Sequence, residues 1–453
     1  MSDEEIVEIG SEYCSHGDKV FAHGVPKIFR NCEGSFMYDS NDTKYLDLQM
    51  WFASCNLGYK NKRIRDAVVD QIDTMPQISS TFLYDYKSLL SEKIAKANIS
   101  RFGEKGRVQF NVGGSQAVED ALKLVKNYTH KQRMMAFFGA FHGRTAGSSC
   151  MTAGYRYREP FGIHAEQAHF VPYPYCYRCP YGQKCESCDY YCVKQLRREF
   201  EDNCSGLHNK STHESECAAF FVEPVQGSGG YIVPPKGYFK ELKKVLDDFG
   251  ILFVADEIQM GFYRTGKLWS IEHFDVKPDI ITFGKSLTNG LNPLAGMWAK
   301  EDIINPKTWP AGRTHSTFCN NPIGMRAGYE VMSVFEESDF EKSVSEKGKY
   351  FLCCLKDLEK KHKRIGTVDG LGLALRIECV TEDGYTPDPK LCQDILLEGY
   401  KGDLTYEGKK CGIILNTGSH YNNSLTLVPP VTISYAEIDM AVSLIDQLFT
   451  RLS

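Results

Sequence analysis

Apolar residues recur along this chain in two rhythms. Short apolar runs bounded by polar residues or glycine occupy 107–112, 134–138, 217–223, 251–255 and 279–284. Runs of that length, rich in Val, Ile and Phe, predict strands covered on both faces. Segments 62–73, 87–97, 117–127 and 238–249 carry apolar residues at helical spacing and predict helices. Strands alternating with helices predict an α/β fold. Two other regions differ. Residues 28–48 alternate apolar and polar around turns at Glu33-Gly34 and Ser40-Asn41-Asp42, which predicts a small antiparallel meander. Beyond 320 the pattern predicts long helices over 322–336 and 340–360, and a closing amphipathic helix over 436–452. Segments 368–372, 373–379, 413–416 and 425–427 predict a second small sheet. Residues 1–24 are polar, with weak helical periodicity over 4–13. No internal repeat or low-complexity tract interrupts the order.

Composition narrows the class. With 453 residues the chain can build a large core and two domains. A net charge of −5 gives no electrostatic case for nucleic acid or an anionic membrane. No apolar stretch is long enough to span a bilayer, and the acidic start MSDEEIVEIG lacks a signal-peptide pattern, so a cytoplasmic protein is expected. The 17 cysteines are scattered through apolar and helical segments, which suits reduced thiols better than a secreted disulfide framework.

The chemistry is concentrated at two strand ends. The run at 251–255 ends in Asp256 and the run at 279–284 in Lys285, both costly residues to bury. Open α/β sheets bind ligands at the carboxyl ends of their strands, so two charged ends suggest one site. Pyridoxal phosphate needs that pair: a carboxylate keeps its pyridine nitrogen protonated, and a lysine carries it as a Schiff base. A buried ion pair that only specifies packing is the alternative. Three further motifs bear on the choice. Gly113-Gly114-Ser115-Gln116, between a strand and a helix, is an anion site if the free amides are used, and otherwise turn and cap chemistry. In the glycine-flanked loop 139–145, Phe141 can lie against a flat ring or fill the core. The segment YPYCYRCPYGQKCESCDYYC (173–192) holds Cys176, Cys179, Cys185, Cys188 and Cys192 in zinc- or iron–sulfur-like local spacing. Its pairs are closer together than in common zinc ribbons, and a thiol-rich surface excursion outside the core fits equally, so the metal stays open.

The chain resembles the class III aminotransferases, the fold type I pyridoxal phosphate enzymes that include ornithine and 4-aminobutyrate aminotransferases. The likeness runs from about 26 to 448. It rests on DEIQMGFYRTGKLWSIEHFDVKPDIITFGKSL, GGSQAVEDALK, FHGRT, EPVQGSGG, HSTF and VDGLGL, in the family's order. It implies a large domain with a mostly parallel seven-stranded sheet and a small α+β domain built from both termini. The implied division is 1–59, 60–322 and 323–453. It implies Lys285 as the Schiff-base lysine and proton carrier, Asp256 at the pyridine nitrogen, and Gln259 at the ring hydroxyl. Phe141, with His142 beside it, would lie on one ring face, and Val254-Ala255 near the other. Gly114 and Ser115 would hold the phosphate, and Glu223 would stand on the substrate side. Thr317 would reach the phosphate from a partner subunit, making the functional unit a homodimer or a tetramer built from it.

Departures from the family bear on the substrate. Thr426 stands where many members carry a carboxylate-gripping arginine, and a hydroxyl cannot replace that bidentate contact. Either another cation serves, with Arg158 and Arg178 as candidates, or the amino donor presents no α-carboxylate there. Gln116 replaces a glutamate of the phosphate loop. Trp51-Phe52 falls where pocket-lining residues are usually small, so both are candidate substrate contacts, although interface packing explains a tryptophan equally well. The reading is a transaminase moving an amino group between an amine or ω-amino acid and a 2-oxo acid. The alternative is an amino-acid racemase or epimerase, as in some family members with a similar YCYRCP segment. A metal-binding or regulatory protein without catalysis is disfavoured by Lys285, Asp256 and Gln259 occurring together.

Overall fold

A seven-stranded sheet carries the structure, a computed structural model that describes residues 1–17, 26–154, 157 and 168–452. In spatial order its strands are Gly106–Asn111, Ala295–Lys300, Ile280–Phe283, Leu252–Asp256, Cys217–Val222, Arg133–Phe137 and His169–Val171. All run parallel except Ala295–Lys300, which is antiparallel to both its neighbours. This is the expected α/β fold with a mostly parallel sheet. The central strands are apolar because both faces are covered: every residue of Cys217–Val222 and Ile280–Phe283 is buried. Phe220 and Phe221 point to opposite faces and join two different core clusters. Burying each contributes about 1.5–3 kcal/mol.

The smaller region is built from both ends of the chain. The meander of Phe29–Glu33, Phe36–Asp39 and Lys44–Asp47 is extended by Lys409–Ile414, which pairs in parallel with Lys44–Asp47. A four-stranded antiparallel sheet of Ile365–Leu371, Ala374–Cys379, Ser424–Leu427 and Asn416–Gly418 lies beside it in the chain. The segment 413–416 therefore belongs to two sheets, since Ile414 ends one strand and Asn416 begins the next. Helices Phe340–Lys361 and Tyr435–Leu452 pack against each other and against this sheet region. The helix Pro322–Glu337 starts with proline at its first turn and an Asn321 side-chain cap, and packs on Lys62–Thr74 and Asp85–Phe102.

Several elements differ from expectation, among them the edge strand His169–Val171 and the strand Leu404–Tyr406. Residues 295–300 form a strand although Gly and Pro flank them, because the chain returns between two existing strands. Helix Pro389–Gly399 replaces a segment with no expected element. The cysteine-rich segment does not lie wholly outside the core: Tyr173 and Tyr175 are buried, and Cys192 opens the helix Tyr191–Glu201, whose Val193, Leu196 and Phe200 join the main core.

Candidate functional site

Five passes of the chain leave the carboxyl edge of the large sheet around one cavity of about 380 Å³. Gly114, Ser115, Phe141, His142, Glu223, Asp256, Gln259 and Lys285 all stand on its wall. Asp256 is the last residue of its strand. Its Oδ2 lies 2.7 Å from His142 Nδ1, and its Oδ1 accepts the Ile258 N–H at 3.1 Å. His142 is buried. Burial works against its charge, but the hydrogen bond and charge of Asp256, with the charge of Glu223, outweigh it and raise the imidazole pKa. Lys285 follows Gly284 in a left-handed conformation (φ 41°) that turns it off the strand. Its amine has no hydrogen-bond partner among the described residues. Burial holds it down at about 8, against the opposing pull of Asp256 and Glu223.

The Glu223 carboxylate braces the wall. One oxygen accepts the Phe141 N–H and the other the Gly227 N–H, both at 3.1 Å. Burial pushes Glu223 up to about 7. Gln259 packs over Gly227, where a Cβ would lie 2.0 Å from Gln259 Oε1, and its amide reaches the Phe52 carbonyl at 3.5 Å. Helix Gly114–Thr129 points its N-terminus at the same cavity, with the amides at its start free of intrahelical partners. Gly143 closes this corner with φ +124°, and a Cβ there would sit 2.5 Å from Ser115 Oγ.

These groups fit pyridoxal phosphate. An amine without a partner, a carboxylate with lone pairs to spare and a helix N-terminus match its aldehyde, ring nitrogen and phosphate. The cavity is within the range of small-molecule sites.

Four other positions are placed differently from one another. Phe52 lines the cavity, but Trp51 does not: it lies 59% exposed on the outer surface. Both sit in a left-handed turn, Met50–Ala53, with φ between 44° and 65°, which costs about 1–2 kcal/mol per residue. Thr426 is also outside the cavity wall. It is buried, bonded to Asn416, and directly opposite Arg376 on the neighbouring strand. An arginine at 426 would lie directly opposite the buried guanidinium of Arg376. Thr317 is exposed and outside its own chain's cavity, on a loop tied down by Ser316 to Asn111 and Thr314 to Asp120. Val254 and Ala255 are buried in their strand, and Ile258 and Met260 hold the wall instead.

Among the arginines, one not singled out in the sequence stands on the cavity wall. Arg178 is engaged by Glu378 and the Tyr385 carbonyl, and Arg158 lies outside the described residues. Arg144 lines the cavity, its guanidinium 5.7 Å from the Phe141 ring and 4.7 Å from that of Tyr157. It is the arginine of FHGRT, so the block was visible but the role of its fourth residue was not. Tyr173 was also missed. Its hydroxyl donates to the carbonyls of Glu223 and Pro224 at 3.2 and 3.1 Å, supporting the wall from behind.

A parallel sheet whose strand ends supply an aspartate, a lysine and a helix N-terminus to one cavity defines the fold type I pyridoxal phosphate enzymes. Residues 20–449 match the aminotransferase class-III family, and the chain belongs to it. The cofactor of that family is pyridoxal phosphate. Among relatives, a leucine/methionine racemase of Thermococcus litoralis is 31% identical over 97% of this chain and 94% of its own. A 4-aminobutyrate aminotransferase of Escherichia coli is 29% identical over 94% of this chain and 93% of its own. The crystal structure of an S-selective transaminase from Bacillus megaterium superposes with a TM-score of 0.88 at 25% identity, covering 100% of this chain and 98% of that one.

Proposed function

We propose that this class III aminotransferase moves an amino group between an amine or amino acid and a 2-oxo acid, with Lys285 as the catalytic base. The observation that carries this reading is that the Lys285 amine, without a hydrogen-bond partner among the described residues, shares one cavity with Asp256 and the N-terminus of helix Gly114–Thr129. Pyridoxal phosphate, when bound, supplies an electron sink for the pair left as a C–H bond beside nitrogen breaks. Lys285 Nζ is neutral above about pH 8 and able to take that proton. Asp256, hydrogen-bonded to His142 Nδ1, would face the pyridine nitrogen and hold a proton there. Gly114 and Ser115 would present amides to the phosphate, and Gln259 would stand at the ring hydroxyl. Phe141, fixed by Glu223, would lie on a ring face. Arg144 holds a donor or acceptor carboxylate, and Phe52 shapes the substrate end.

The reading includes a homodimer in which Thr317 serves the partner's site. Support comes from an exposed apolar face. Trp51 packs on Gly290 beside Leu291, Asn321 bonds Pro293, and Asn320 holds the Phe82 carbonyl near Leu83 and Phe318. The division 1–59, 60–322 and 323–453 belongs to the same reading, as does a cytoplasmic location. The location is supported by 17 cysteines without a disulfide. No described helix is long and apolar enough to cross a membrane.

The racemase relative favours a second reading, racemisation on the same scaffold. It needs an acid or base on each side of the reacting carbon. Glu223 and His142 are titratable groups on the same wall, but main-chain amides engage both Glu223 oxygens and Asp256 holds His142. The two are separated by mixing purified enzyme with an amine and amino-acid panel and no acceptor. Transamination gives one oxo product per site and then stops. Racemisation gives continued loss of optical purity and no stoichiometric oxo product, which would overturn the first reading.

A further inference from the structure

Residues 173–192 link two functional regions. At one end Tyr173 supports the Glu223–Pro224 backbone behind the active site. In the middle, Tyr175 and Arg178 grip the buried Glu378 of strand Ala374–Cys379, and Arg376 bonds both Tyr175 and Glu378. Arg178 also donates to the Tyr385 carbonyl at 2.5 Å. A segment of few apolar residues thus bears on the catalytic wall and on the smaller sheet region together. It has little regular structure of its own: one turn at Cys176–Arg178, and then turns until helix Tyr191–Glu201.

Its cysteines converge. Cys176, Cys179, Cys185, Cys188 and Cys192 all line one small cavity of about 30 Å³, closed by Tyr175, Pro180 and Tyr181. All five are free thiols. The sequence pairs them as Cys-x-x-Cys twice, with five residues between the pairs. A space of that size matches one ion rather than a multi-iron cluster. We propose that Cys176, Cys179, Cys185 and Cys188 bind a single zinc ion, which pins the 173–192 segment between the active-site wall and the smaller sheet.

Tetrathiolate coordination is a closed structural form of zinc, and it supplies order where a segment has too little core of its own. Cys192, on the same cavity wall, is a fifth thiol near the site. Among the described residues no three His, Cys, Asp or Glu side chains surround a point as a metal site does. The step the proposal requires is therefore a turn of the thiols about χ1 toward the cavity they share.

The test is elemental analysis of full-length protein purified without chelator, from culture supplemented with zinc. About one zinc per chain is expected. A mercurial thiol reagent should release it, and a metallochromic dye should detect the release. The double variant Cys185→Ser/Cys188→Ser should lose the metal, while Cys204→Ser, an exposed cysteine outside the segment, should keep it. Metal-stripped wild type should melt several degrees lower and recover with zinc chloride. Should the double variant not fold, the release and restoration arms on wild type still decide. The proposal is overturned by zinc-free reduced wild type that binds none on addition, by retention of zinc in a folded double variant, by iron with sulfide in its place, or by a disulfide between these cysteines with no metal.

Discussion

Arg144 is the cavity residue whose replacement most sharply separates substrate binding from cofactor chemistry. Its guanidinium lies over the rims of Phe141 and Tyr157, while its backbone N–H donates to Ser115 Oγ at 3.2 Å, a bond that survives any substitution. If the guanidinium holds a substrate carboxylate, Arg144→Ala removes charge-assisted hydrogen bonds of about 1.5–3 kcal/mol. At about 1.4 kcal/mol per factor of ten, that is roughly ten- to somewhat over a hundredfold in kcat/KM. A second loss comes from the aromatic contact. At a solvent-reachable site it is about 0.5–1 kcal/mol, or two- to fivefold, and it acts through Phe141 on every substrate alike. The assay is therefore a ratio: kcat/KM for an α-amino acid divided by that for its decarboxylated amine, in wild type, Arg144→Ala and Arg144→Lys. The ratio should fall ten- to a hundredfold in the alanine variant. It should fall less in the lysine variant, which keeps the charge but not the planar fork. Equal losses for both donors would show that Arg144 acts only on Phe141 and that the carboxylate is held elsewhere.

Asp256→Asn should slow proton abstraction by orders of magnitude with modest loss of cofactor, measured by single-turnover kinetics with an excess of donor; wild-type rates would contradict a role at the ring nitrogen. Cofactor-free protein should take up pyridoxal phosphate about tenfold faster per pH unit below 8 and level off above it, because Lys285 reacts only as the neutral amine and burial holds it at about 8; a rise continuing to pH 10 would place its pKa near the ordinary value. Mixing Lys285→Ala subunits with Thr317→Ala subunits should restore one working site per heterodimer, and activity no better than the parents' would leave Thr317 acting within its own chain or not at all.

How far the sequence could be read depended on how local the cause was. Cys217–Val222 and Ile280–Phe283 are legible because burial on both faces demands unbroken apolar residues. Asp256 and Lys285 are legible for the opposite reason, as charges ending such runs. Ala295–Lys300 was hidden because its slot is created by two distant strands, and nothing in AGMWAK marks it. The left-handed turn at 50–53 was hidden too, since it contains no glycine. The buried Asp47 carboxylate holds it by accepting the Gln49 and Met50 N–H groups at 2.7 and 2.9 Å. Thr426 illustrates a third case. Its departure from the family was visible, but its place directly across the strand pair from Arg376 exists only in the folded register. Arg144 needed the cavity itself, since an arginine beside a glycine turn is ordinary surface chemistry until a wall forms around it.

Titratable groups of the cavity also oppose one another in stability, which bears on why the site needs its cofactor. Glu223, raised from 4.5 to about 7, binds more protons folded than unfolded between those values, so folding weakens there as pH rises. Lys285, lowered from 10.5 to about 8, binds fewer protons folded than unfolded, so folding strengthens between 8 and 10.5. Near neutral pH the cofactor-free protein therefore carries the cost of a partly ionised Glu223 and of a charged, unpartnered Lys285 together. Asp256 is already engaged by His142, which leaves the lysine as the group in greatest need of a partner. An aldehyde that takes up the Lys285 amine, with an anion to cap the helix at Gly114, satisfies the two ends of the cavity that the protein leaves unpaired. Cofactor binding is thereby linked to folding at the residues that line this cavity.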